Sequence, residues 1–239
     1  LIFPHHENEL AQSGALGRPM ANIWAHNGFV NINHEKMSKS LGNFFTIKDV
    51  LKLYHPEILR FFLVSRHYRG PIEFSDDALK EAGRALERIY RTIEVAEALA
   101  GGVEGGPSPE AEALENLFGQ AMDDDLNTAQ AIGHVFELVR LLNREIAAGE
   151  KEAAAGSLAI LHRLGDQLGL WRLPPRSFLD RHKSSQEEDK VAEIERLAAL
   201  RAKARADKDW AEADRLRKTL TEMGVVVEDK AGQSTWRLA

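Results

Sequence analysis

From Ser75 to Ala100, the positions Leu79, Ala82, Leu86, Ile89, Ile93 and Ala96 recur at alternating intervals of three and four. That interval returns to one face of an α-helix, so the six side chains form a single apolar stripe. A stripe of this length must be covered by another element, which commits the chain to a helical bundle. Ser75 supplies an N-cap oxygen, and Asp76 and Asp77 fall in the first turn, where the helix dipole favours negative charge. Further helices are expected at 110–121, 128–148 and 151–169, with Ile132, Val135, Phe136, Val139 and Leu142 on one face of the second. Gly101 to Pro109 is rich in Gly and Pro and reads as an exposed connection. Asp123, Asp124 and Asp125 invite a metal-site reading. Acids gathered before a helix N-terminus, with Asn127 or Thr128 as cap, explain them more simply.

The totals narrow the functional classes. A chain of 239 residues has room for about one to three domains and a sizeable core. It holds no cysteine, which excludes disulfides and leaves any zinc site to His, Asp and Glu or to ligands from elsewhere. A formal net charge of −6 argues against indiscriminate nucleic-acid binding but leaves room for a local basic face. The apolar runs are too short to span a membrane and no signal-peptide pattern opens the chain, so no membrane partner and a cytoplasmic location are expected. Leu1-Ile2-Phe3-Pro4 has no initiator Met and reads as the end of a buried strand. The chain is therefore expected to be a piece of a longer protein.

Candidate chemistry is spread along the chain. Lys36-Met37-Ser38-Lys39-Ser40 sets two ammonium groups three residues apart among hydroxyl side chains, ahead of the flexible Gly42. That combination suits gripping a triphosphate while charge builds on its leaving group; a basic surface turn is the ordinary alternative. His5 and Glu9 fall one turn apart on a short helix that Pro4 opens, a spacing that serves a shared metal or a solvated pair. Ile23 to Ile32 alternates apolar and polar residues, as a half-buried strand pair or bent strand, and pattern alone makes His26 a core-edge histidine. Thr46 to Asp49 has the form of a capping box with Asp in place of Glu, opening a helix through Tyr54, and Pro56 can start the next. Arg66, His67, Tyr68 and Arg69 form a basic–aromatic cluster that can touch a phosphate backbone or close a domain surface.

Beyond Leu173, paired prolines, serines and acids read as a mobile linker up to Asp189. A small domain is expected from Lys190: a helix rich in Ala, Arg and Lys, a second from near Trp210 to a cap at Gly224, and a hairpin turning at Ala231-Gly232. Cations beside Trp210 and Trp236 suit unpaired bases, although composition alone favours core tryptophans.

The whole pentapeptide KMSKS resembles the signature loop of class I aminoacyl-tRNA synthetases. FPHHENE followed by AQS, LVSRHYRGPIEFS, AMDDDLNT and KDWAEADRLRKTLTEMGVVVEDKAGQSTWR extend the resemblance to the cysteinyl-tRNA synthetase family. The fold this implies is an α/β remnant of a Rossmann-like catalytic domain followed by a mostly α-helical bundle and a small α+β C-terminal domain. The implied divisions are 1–43 with the ATP loop, 44–100 for stem contact, 110–172 for a DALR-like bundle, 173–189 as linker and 190–239 for anticodon binding. In the implied reaction, ATP with Mg2+ and L-cysteine give cysteinyl-adenylate, and the cysteinyl group passes to cysteine tRNA. Lys36 and Lys39 stabilise pyrophosphate, and Met37, Ser38 and Ser40 complete the ATP loop. His5 and Glu9 become half of a Zn2+ site whose two cysteines lie earlier in the family's chains, and His26 lines the amino-acid pocket. Arg205, Trp210, Asp214 and Asp229 become anticodon contacts. The HIGH sequence of class I enzymes is absent, so this chain is expected to be inactive alone, and monomeric. The alternatives are the related cysteine ligase of mycothiol synthesis, which has no use for an anticodon reader, and a non-catalytic tRNA-binding fragment.

Overall fold

The computed structural model of the chain describes residues 2–32, 35–36, 46–230 and 233–238. Its centre is α4 (Asp76–Ala100), which begins where Ser75 accepts a hydrogen bond from the Ala78 N–H and ends at Gly101 with φ 53°. All six stripe residues are at most 5% exposed. Burying each large aliphatic side chain among them contributes about 1.5–3 kcal/mol, which is why α4 collects neighbours on several sides. It packs on α3 (Pro56–Val64), α6 (Thr128–Ala148), α7 (Lys151–Leu168) and α8 (Pro175–Ala206), while α5 (Pro109–Asp123) lies against α6 and α7. Ser108 and Asn127 cap α5 and α6 by accepting from Ala111 N–H and Gln130 N–H. One core runs through this bundle from Val50 to Phe178.

The connection from Gly101 to Pro109 is largely exposed, as expected, except where it meets α7. Its first four residues are exposed, but Gly105 lies so close to α7 that a Cβ would stand 2.0 Å from the Glu152 carbonyl oxygen. Packing, rather than freedom to bend, accounts for that glycine.

A small sheet precedes the bundle. β1 (Val30–Ile32) pairs antiparallel with β2 (Glu35–Lys36) and parallel with β3 (Ile72–Phe74), giving the order β2-β1-β3. Alternation between Ile23 and Ile32 predicts a longer strand than the one observed. Only the last three residues pair, and Ile23 and Phe29 are 87% and 63% exposed. Ile2 to Pro4 also differ from the expected buried strand end, Leu1 lying outside the described residues. Ile2–His6 forms a π-helical turn leading into α1 (Glu7–Ala15), and Ile2 and Phe3 are exposed. A strand needs a neighbour to satisfy its backbone groups, and among the described residues none pairs with this segment, although Phe3 keeps extended dihedrals of φ −125° and ψ 137°.

The largest difference lies at 173–189. Where a linker was expected, α8 runs unbroken from Pro175 to Ala206, so the first helix assigned to the last domain begins well before Lys190. Pro175 sits in the first turn, where its missing N–H costs nothing. Phe178 is fully buried, stacked on Tyr90 at 4.4 Å with His55 edge-on at 5.3 Å. Further along, α8 packs on α9 (Trp210–Glu222), and Ile194, Leu197, Leu216, Leu220 and Val225 form a second core. The expected hairpin is present as β4 (Val225–Lys230) and β5 (Gln233–Leu238), closing on the pair Lys230–Gln233. No described helix is long and apolar enough to cross a membrane.

Candidate functional site

The amino-terminal candidates gather around a histidine that local spacing does not single out. His6 Nδ1 lies 2.6 Å from His26 Nε2, their rings stack at 4.6 Å, and Trp24 lies 5.5 Å from His6. Desolvation, then the neighbouring His26 and His5, holds the His6 imidazole below its usual range. A low value suits this pair, because one ring must donate and the other accept. His26 is half-buried, in keeping with a core-edge position. His5 belongs to the π-helical turn and Glu9 to α1. The chain has no cysteine, and no group of three or more His, Cys, Asp or Glu among the described residues could hold a metal. Two ligands do not fit a four-coordinate zinc, so His5 and Glu9 alone make no metal centre.

Lys36 ends β2 opposite Asn31, with its backbone alone described, and Met37, Ser38, Lys39 and Ser40 lie outside the described residues. The chain resumes at Thr46, the cap of α2 (Ile47–Leu53). Thr46 Oγ1 accepts from the Asp49 N–H and donates to Asp49 Oδ2 at 2.6 Å. Hydrogen bonds from Lys52 and Thr46 bring the Asp49 carboxyl down to about 2. Between β1, α2 and α4 lies a cleft of about 410 Å³ with Ile32, Val50, Leu53, Phe74 and Leu79 on its walls and Asp76 at its edge. Its lining is mostly apolar and its charged members, Asp49 and Asp76, are acidic, whereas a triphosphate needs cations and N–H donors.

The cluster from Arg66 to Arg69 divides. Tyr68 Oη donates to Asp125 Oδ1 at 2.7 Å, and Arg69 spans both carboxylate oxygens at 2.6 and 2.9 Å. These bonds lower the Asp125 carboxyl, chiefly through Arg69, and raise the Arg69 guanidinium. Asp125 reaches them because its backbone turns back at φ 56° between α5 and α6. On the other side, Gly28 N–H donates to the Tyr68 carbonyl at 2.7 Å, and a Cβ on Gly28 would collide with the Gly70 oxygen at 2.1 Å. Tyr68 and Arg69 thus close a surface between sheet and bundle. Arg66 takes no part in that clamp.

At the far end, Arg205 lies in the last turn of α8, Trp210 opens α9, and Asp214 follows one turn later. Arg205 and Asp214 are exposed, and the Trp210 indole is 59% exposed, unlike the core tryptophan that composition favours. Asp209 caps α9 by accepting from the Glu212 N–H at 3.1 Å, which fixes Trp210 at the first position of the helix. Asp229 pairs with Ser234 in the hairpin, backbone alone being described.

Comparisons with known proteins follow the chain in order. Residues 1–84 match the tRNA synthetases class I (C) catalytic domain, 117–172 the DALR domain, and 188–237 the cysteinyl-tRNA ligase anticodon binding domain. A curated relative from Ectopseudomonas mendocina, named cysteine--tRNA ligase, is 50% identical over 240 residues, covering 100% of this chain and 50% of the relative. One of the same name from Geobacter sulfurreducens is 50% identical over 251 residues, covering 100% and 52%. The chain therefore spans about half the length of the curated relatives it matches. Among solved structures, the ternary complex of Agrobacterium radiobacter K84 agnB2 LeuRS-tRNA-LeuAMS contains a similar fold, with TM-score 0.52 and 20% identity over 68% of this chain and 21% of that chain.

Proposed function

We propose, on the premise that this chain belongs to the cysteine--tRNA ligase family, that it supplies the ATP loop, helical bundle and anticodon reader of an enzyme that joins L-cysteine to cysteine tRNA. The observation that carries this reading is Trp210, an indole left 59% exposed at the head of α9. A flat apolar ring that falls between Arg205 and Asp214 in the chain suits an unpaired base: the indole stacks, the guanidinium donates to a guanine edge, and a carboxylate accepts from a base amino group. Asp229 is the second such acceptor. The proposed divisions are a Rossmann-like part at 1–43, a stem-contact part at 44–100, a bundle at 110–172 and an anticodon-binding part at 190–239, the last joined to the bundle through α8.

In the proposed reaction, a cysteine carboxylate oxygen attacks the α-phosphorus of ATP, and pyrophosphate leaves with the bonding electrons. A terminal ribose hydroxyl of the tRNA then attacks the acyl carbon and AMP departs. Lys36 and Lys39 neutralise the pyrophosphate as its charge develops, with Met37, Ser38 and Ser40 shaping the loop and Mg2+ arriving with ATP. His26, held by His6, faces the amino acid. His5 and Glu9 need ligands from outside this chain to hold zinc. We expect the chain alone to be a cytoplasmic monomer that does not catalyse ATP–pyrophosphate exchange.

Binding of this polypeptide to cysteine tRNA, beside a transcript altered only in its anticodon, tests the reading. Preference for the native anticodon, reduced about tenfold by Trp210→Ala and lowered by Asp229→Ala, is the expected result. Equal or absent binding of both transcripts by the unaltered chain would sink it. The amino-sugar ligase alternative is disfavoured by the anticodon-domain match at 188–237.

A further inference from the structure

We propose that Glu57 is a positioning residue: by holding the turn between α7 and α8 it sets the direction in which α8 leaves the bundle, and so where Trp210 stands. The turn runs from Gly169 to Pro174, and Trp171 within it has φ 39°. A bulky side chain rarely takes that left-handed conformation, which persists only where the surroundings impose it. Here they do. The Trp171 indole is buried against Gly165, with its N–H donating to the Leu161 carbonyl at 2.8 Å. Its backbone N–H donates to Glu57 Oε1.

The second oxygen of Glu57 accepts from Tyr90 Oη at 2.8 Å, and the Leu173 N–H reaches the same hydroxyl. The Tyr90 ring in turn carries Phe178, stacked on it from the first turn of α8. One carboxylate therefore ties α3, α4, the turn and α8 at a single point. Three residues along α3, on the same face, Arg60 donates to the Leu168 carbonyl at 3.4 Å and holds the end of α7. Taking a carboxylate even partly out of water is costly. What it supplies here, and an apolar side chain cannot, is two acceptors at a fixed separation, one for the turn and one for the ring that Phe178 leans on. The consequence is felt far away. A tilt of about 10° at Pro175 carries the end of a helix roughly 48 Å long through about 8 Å, enough to take Trp210 off a ring it would stack on. That Trp210 meets a base is the reading above, whereas the direction of α8 does not depend on it.

The chain has no cysteine, so Asn116→Cys on α5 and Lys218→Cys on α9, both exposed positions, take one spin label each. Double electron–electron resonance of the full chain then reads the distance from the bundle to the last core. One narrow distribution is expected with Glu57 in place. Glu57→Leu, which removes both acceptors, should shift it by about 5 Å or more, or split it. Glu57→Gln should keep it, because the amide oxygen accepts from Trp171 and the amide nitrogen donates to the Tyr90 oxygen. Leu114→Ala, which opens a cavity on α5, should lower the melting temperature and leave the distance in place. An unshifted distribution in folded Glu57→Leu overturns the proposal, as does an equal shift in Leu114→Ala. If Glu57→Leu does not fold, Tyr90→Phe keeps the stack, removes the hydroxyl and is read instead: a shift is expected, and none overturns. Anticodon preference, measured on the same variants, should fall in Glu57→Leu and hold in Glu57→Gln. A shifted distance with unaltered preference overturns the role in placing Trp210. If the unaltered chain shows no preference, the anticodon reading fails, and the distances alone decide what Glu57 does.

Discussion

Gly165 has no room for a methyl group: a Cβ there would stand 2.0 Å from Trp171 Nε1 and 2.7 Å from the Leu170 oxygen. Trp171 cannot yield, being 1% exposed with its indole N–H bonded to the Leu161 carbonyl at 2.8 Å. Gly133 lies within α6 with nothing inside 4 Å of the same added atom. Ala in place of Gly normally stabilises a helix interior by about 1 kcal/mol, so the two sites should respond with opposite signs. Gly133→Ala should raise stability by about 0.5–1 kcal/mol, and Gly165→Ala should lower it by about 1–3 kcal/mol through overpacking. Urea unfolding of both variants checks the sign. At this scale the caps were legible in the sequence: Thr46, Ser75 and Asn127 each act within three residues. His6 and Asp125 were not, because their partners lie 20 and 56 or 57 residues away, and no local rule carries such a contact.

Among the elements, α4 was readable because its stripe repeats over the whole helix, whereas α8 was hidden by its own composition. The Ser and acid content near Ser184 and Ser185 resembles a solvated linker, and what holds the segment as a helix lies on either side of it. One end is Phe178 in the pocket of Tyr90 and His55; the other is Ile194 and Leu197 in the second core. Phe178→Ala should cost about 3–5 kcal/mol and should increase amide exchange in the first turns of α8 before the rest of the bundle. Glu57 supports the same corner, accepting from Tyr90 Oη at 2.8 Å and from the Trp171 N–H. Desolvation raises its carboxyl despite both hydrogen bonds and Arg60. The folded chain therefore holds this proton more tightly than the unfolded one. The contribution is fully present below the unfolded value near 4.5 and is lost as pH rises through the higher folded value. Thermal melts of Glu57→Gln beside the unaltered chain, from pH 5 to 7, should show the variant's deficit shrinking as pH rises; a deficit that grows would reverse the assignment.

For the molecule as a whole, the clamp of Tyr68 and Arg69 on Asp125 joins the sheet to the bundle, and α8 joins the bundle to the last core. The anticodon comparison with Trp210→Ala belongs here, since it asks what the far end of the chain meets. The basic cluster at 66–69 was open between two roles in the sequence, and the fold commits Tyr68 and Arg69 to Asp125.

An unbroken α8 also works as a screw. Its 32 residues advance roughly 48 Å, and each residue turns the chain about 100°. Deleting a single residue from the stretch 183–190 would therefore swing everything beyond it by more than a right angle, presenting Trp210 to a different side. Deleting seven would shorten the span by about 10 Å yet return nearly to the original phase. Length variation in this stretch should be tolerated in steps of whole turns, and poorly between them.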